Sequence, residues 1–214
     1  MSQMDQLDEI GERVRQQLED KNAARDLALQ HSRTLIRHCA TAIRAVHRDD
    51  RPQAEQELNQ AKDLRDRLRS DLEAYPDLYH AGYTQDALKE YAEARIVYAL
   101  VGGEALPAPE ALQVEVAPYL GGLGEAAGEL RRRVLDILRH GELEEAERLL
   151  GAMDDIYGLL VTLDFPDALT GGLRRVTDMV RGVTERTRGD LTTSVQQRQL
   201  QEALQGVEKK LDRS

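Results

Sequence analysis

The chain has 214 residues and a mass of 24.1 kDa, a length that suits one domain with a sizeable core or one subunit of an assembly. Apolar residues make up 41% and aromatic residues only 4%, so the core must be drawn from Leu, Ala and Val at helical spacing, which argues against a β-rich fold. The single cysteine, Cys39, excludes an internal disulfide and a Cys-based zinc site, and the formal charge of −10 neither requires nor excludes a nucleic-acid partner.

Lysine is confined to positions 21, 62, 89, 209 and 210, the remaining basic residues being Arg, a balance that a salt-adapted or GC-rich composition accounts for. The first residues are polar and acidic, without a signal-peptide pattern, and no apolar run approaches membrane-spanning length. A chain kept away from membranes, in the reducing cytoplasm, is the expectation.

In chain order, Leu7, Ile10, Val14 and Leu18 followed by Leu35, Cys39, Ile43 and Val46 predict one long helix or two over residues 3–48, with Cys39 in the core. Along its second half, Arg33, Arg37, Arg44 and Arg48 fall at offsets of four, eleven and fifteen, which aligns them in a basic stripe able to follow phosphates. The same stripe also fits a solvated, salt-bridged helix face. Asp49-Asp50-Arg51-Pro52 ends this element and starts the next, since proline is tolerated in a first helical turn.

Ala54, Leu58, Ala61, Leu64, Leu68, Leu72 and Tyr75 predict a second amphipathic helix, and 76–82 a loop. Thr84 is expected to cap the next helix, which ends at Gly102-Gly103. Leu106-Pro-Ala-Pro109 reads as a connector, Pro118 as a helix-initiating proline, and Gly141 as the C-terminal signal of the helix that runs to His140. Three further helices are predicted: Leu143 to Leu160, Leu169 to Arg188-Gly189, and Leu200 to Leu211 with a fraying charged end. With no repeat of solenoid length, the expectation is an all-α bundle of about seven helices in a single domain, 1–214.

Two helices carry residues with chemical potential. On the first, Glu90 and Glu93 stand three apart and share a face beside the apolar stripe of Ala87, Tyr91, Ala94, Tyr98 and Val101. On the second, Glu125 and Glu129 stand four apart among Gly121, Gly124 and Gly128. Each helical glycine costs roughly 1 kcal/mol relative to Ala, and close helix approach would offset that cost while bringing the second pair to a partner helix. Four converging carboxylates suit a hard cation such as Mg²⁺ or Mn²⁺, and hence phosphodiester hydrolysis. Glutamates at this spacing equally populate solvated surfaces. The histidines at 31, 38, 47, 80 and 140 form no His-Glu-x-x-His or Glu-x-x-His pattern and read as packing or surface residues. Asp154-Asp155 fits a buried hydrogen bond or a subunit contact.

Gly82-Tyr-Thr-Gln-Asp-Ala-Leu-Lys-Glu90-Tyr-Ala-Glu93-Ala resembles the Glu-Tyr-Val-Glu-Ala region of the translin family. Tyr119-Leu-Gly-Gly-Leu-Gly-Glu125-Ala-Ala-Gly-Glu129-Leu-Arg-Arg is similar to that family's Tyr-Leu-Leu-Gly-x-x-Asp-x-x-Gly-Glu-Leu-x-Arg segment, and Arg25-Asp26-Leu and Ser32-Arg33-Thr34 resemble the start of the same pattern. The resemblance runs from the first helix to at least Tyr157 and is nearest to translin-associated factor X, the metal-dependent ribonuclease member, in a prokaryotic, archaeal-type form. It implies a translin-like fold and a closed homo-oligomer, an octamer, enclosing single-stranded RNA or single-stranded DNA. It also implies endoribonuclease activity with Mg²⁺ or Mn²⁺ held by Glu90, Glu93, Glu125 and Glu129, and arginines such as Arg33, Arg37 and Arg44 on the nucleic-acid backbone. Glu125 departs from the family pattern, which has the shorter Asp there. A non-catalytic nucleic-acid-binding shell and a structural helical interaction protein are the alternatives.

Overall fold

The computed structural model describes residues 3–211, and among them every regular element is helical. Six long helices are joined by short connections: α1 (Gln3–His47), α2 (Arg51–Asp71), α4 (Gly82–Val101), α6 (Val116–Leu138), α7 (Leu143–Leu160) and α9 (Leu173–Leu211). Three single-turn helices lie between them, α3 (Pro76–Tyr79), α5 (Pro109–Leu112) and α8 (Asp167–Thr170). The chain forms two compact units, Met1–Tyr91 and Ala92–Ser214, the division falling inside the uninterrupted helix α4.

In the first unit α1 packs along α2, with Leu35, Cys39, Ala42 and Val46 buried on one helix and Ala54, Leu58, Ala61 and Leu68 on the other. Asp49 turns the chain in the left-handed region at φ 58°, and the Asp50 carboxylate accepts from the Gln53 amide at 3.1 Å, so the acidic pair makes the turn and caps α2. His38 Nδ1 lies 2.6 Å from Glu57 Oε2, tying α1 to α2 in the packing role expected of the histidines. Arg65, 3% exposed, places its guanidinium 5.4 Å from the Tyr91 ring centroid.

Two local features differ from the expectation. Residues 76–82, read as a loop, contain α3, because Pro76 is preorganised for a first helical turn. Thr84 lies inside α4 rather than capping it: the side chain is buried and its hydroxyl donates to the Leu78 carbonyl at 3.0 Å, binding α3 to α4.

The second unit is built on α6, α7 and α9. Leu123, Ala126, Leu130 and Val134 meet Leu149, Met153, Ile156 and Leu160 and the α9 face of Leu173, Val180 and Leu191 in the core. Arg188 pairs with Asp154, so that acid serves a contact within the chain, and Arg131 reaches Asp190 at 2.7 Å and Thr187 Oγ1 at 3.1 Å. The two C-terminal helices expected from the sequence are one: α9 continues through Gly189. An exposed helical glycine costs roughly 1 kcal/mol but does not break a helix whose neighbours Thr187 and Leu191 are packed.

Both ends of the described chain leave apolar stripes in solvent. Leu7, Ile10, Val14 and Leu18 on α1 are 43–63% exposed, and Leu200, Leu204, Val207 and Leu211 on α9 are 54–70% exposed. Their helical spacing is intact, yet the core of neither unit uses them.

Candidate functional site

Helix α4 runs without interruption between Gly82 and the Gly102-Gly103 turn, so Glu90 and Glu93 keep a common face across nearly one helical turn. Glu93 is 8% exposed and Glu90 is half-buried, with Lys89 Nζ 3.7 Å from its Oε1. Helix α6 brings Glu125 to the same place, and one carboxylate oxygen from each of Glu90, Glu93 and Glu125 lies within 4.8 Å of the others. Glu129, one turn further along α6, is half-buried and stands outside this group of three, 3.9 Å from Arg132.

The donor set is all oxygen, which selects hard cations over zinc or copper. Ligand oxygens about 2.1 Å from Mg²⁺ are separated by about 3 Å when adjacent and about 4.2 Å when opposite, so groups within 4.8 Å need only small side-chain adjustments to share one ion. Without a cation, two carboxylates 4.8 Å apart repel by about 3.5 kcal/mol at an effective dielectric of ~20. The three residues therefore fit a divalent metal.

Of the glycines on this helix, Gly124 serves packing against α9. A Cβ on Gly124 would lie 2.1 Å from Val176 Cγ1, so this glycine admits α9 against α6, whereas a Cβ on Gly128 would meet nothing within 4 Å. Close approach is real at Gly124, and it packs the core of the second unit.

Arg33, Arg37 and Arg44 are all exposed on α1, opposite the buried residues Leu35, Cys39 and Ala42, so the predicted stripe is present on one solvent face. Arg33 borders a shallow cleft with Asp26, Gln30 and Thr34, and Arg44 donates to Thr41 Oγ1 at 2.9 Å. Two charged residues were given no role from the sequence, Lys89 beside Glu90 and Arg132 beside Glu129. The signal for Arg132 is its spacing, three residues from Glu129 and seven from Glu125.

No family model matches the chain. The uncharacterised protein MJ0175 of Methanocaldococcus jannaschii is 33% identical over 193 residues, which span 89% of this chain and 85% of that protein. The structures of AfC3PO and of an AfC3PO–duplex RNA complex share 35% identity with this chain at a TM-score of 0.81, covering 87% of this chain and 97% of theirs. The chain belongs to the translin/C3PO family. The structure of apo-NeC3PO, at 24% identity and a TM-score of 0.74, has the same fold over 91% of this chain and all of that one. The translin-like, all-α reading of the sequence is thus established, and the archaeal relative agrees with an archaeal-type member. Among the described residues of this translin/C3PO chain, no helix is long and apolar enough to cross a membrane.

Proposed function

We propose that this protein is a metal-dependent endoribonuclease that works as a closed homo-oligomer, an octamer, on single-stranded RNA. The observation that carries the reading is the convergence of Glu90, Glu93 and Glu125, from two helices, within 4.8 Å. Membership of the translin/C3PO family and the RNA complex of AfC3PO support nucleic acid as the ligand. Because that complex contains a duplex, double-stranded RNA is the second reading of the substrate.

Glu90, Glu93 and Glu125 would hold Mg²⁺ or Mn²⁺. When bound, such an ion supplies positive charge at a phosphoryl oxygen and an activated water. Arg33, Arg37 and Arg44 offer guanidinium groups to phosphates, fixing the strand without reading its bases. The exposed apolar stripes on α1 and α9 support assembly, because monomers rarely leave such rows open to water.

The test is cleavage of labelled single-stranded and duplex RNA with Mg²⁺, Mn²⁺ or EDTA. Cleavage should require the metal and be lost or greatly reduced in Glu90→Ala, Glu93→Ala, Glu125→Ala and Glu129→Ala, with RNA binding retained. Glu125→Asp, which installs the shorter acid of the family pattern, should stay active. Full metal-dependent activity in Glu90→Ala and Glu125→Ala would return the protein to a binding role.

A further inference from the structure

Three consecutive arginines follow Glu129 on α6, and the fold uses them differently. Arg131 is committed to α9 through Asp190 at 2.7 Å and Thr187 at 3.1 Å. Arg133 is half-buried. Arg132 has a side chain 57% exposed, and it faces Glu129 at 3.9 Å, the outer limit of an ion pair.

Its position follows from helix geometry. Seven residues are nearly two turns, so Arg132 points within about 20° of Glu125, and three residues put it on the same face as Glu129. The axial offset from Glu125 is about 10 Å. Side chains lean toward the helix N-terminus, so the guanidinium reaches back along α6 toward the acidic group and shortens that distance. Going from Glu125 through Glu129 along this stripe of α6, Arg132 is the next residue and it is basic.

That matters because RNA must approach at least three carboxylates on a chain of net charge −10. Local field, not total charge, steers a ligand. A guanidinium held loosely by a neighbouring carboxylate can exchange it for a phosphate, which offers a bidentate oxygen pair of matching geometry.

We propose that Arg132 contacts the substrate, leaving Glu129 to grip a phosphate next to the one being cut. The assignment rests on the ribonuclease reading of the acidic group for its purpose, but its test does not depend on cleavage. RNA affinity is measured in EDTA across a KCl series for the full-length wild type, Arg132→Gln and Arg132→Lys, with Mn²⁺ affinity of the RNA-free proteins measured in parallel. In Arg132→Gln the slope of log affinity against log salt should flatten by about 0.7 for each lost contact to a single strand. Arg132→Lys should recover most of that slope, and Mn²⁺ affinity should stay at the wild-type value in both variants. In Mg²⁺, KM should rise more than kcat falls. An unchanged slope in Arg132→Gln overturns the proposal. So does a loss of Mn²⁺ affinity shared by both variants, which would assign Arg132 to orienting Glu129 instead. Cleavage that persists without Glu90 and Glu93 would defeat the ribonuclease reading while leaving the salt measurement to decide Arg132 independently.

Discussion

Glu93 is the most buried member of the acidic group, and Glu93→Gln removes its charge at nearly constant shape. A ligand that binds only the folded state stabilises it by RT ln(1 + [L]/Kd), about 2.7 kcal/mol when Mn²⁺ is at 100 times Kd. For a chain of this length 1 kcal/mol moves Tm by about 2–4 °C, so the wild type should gain about 5–11 °C from Mn²⁺. Losing one of three carboxylate ligands should weaken the site by at least the ~100-fold that outer-shell changes reach at metal centres. At the same Mn²⁺ concentration the variant then sits near its own Kd, where the gain is about 0.4 kcal/mol, or about 1–2 °C. Differential scanning fluorimetry with and without Mn²⁺ measures the two shifts, and Glu73→Gln, an exposed acid outside the group, should keep the full wild-type gain. Comparing each protein with its own metal-free Tm cancels any effect of the substitution on the apo fold. No Mn²⁺-induced shift in the wild type, or an equal shift in Glu93→Gln, would refute the metal centre.

Gly124→Ala sets about 1 kcal/mol of helix propensity against an overlap with Val176 that should cost about 1–3 kcal/mol, because a β-branched side chain in a helix cannot rotate away freely. Urea denaturation should show net destabilisation, and the same change made in a Val176→Ala background should stabilise. Replacing Arg33 and Arg37 together with Ala should weaken RNA binding and reduce its dependence on ionic strength, as fluorescence anisotropy at several salt concentrations would show; unchanged binding would make the α1 stripe a solvated face. Burial, helped by Glu110, raises the Tyr119 hydroxyl above its ordinary pKa of 10, and the same hydroxyl donates to the Pro107 carbonyl at 2.9 Å. The fold thus holds this proton more tightly than the unfolded chain does. Its contribution is complete below about pH 10 and is lost as pH rises through the folded value, so Tyr119→Phe should flatten the alkaline fall in Tm.

Properties carried by single helices were legible in the residues themselves. An aromatic-poor composition and a 3.6-residue apolar period determined an all-α chain, and the Gly102-Gly103 stop was set by local conformational preference. The shared face of Glu90 and Glu93 and the alignment of Arg33, Arg37 and Arg44 depend only on residue offsets within one helix. What joins one helix to another was decided by packing. That Glu125 reaches Glu90 and Glu93 while Glu129 stays outside the group depends on the rotation and axial register of α6, which no offset along the chain specifies. The same non-local register placed Val176 over Gly124 and buried Thr84 against the Leu78 carbonyl. It also carried α9 through Gly189, where packing of the flanking residues outweighed the weak local preference for a break.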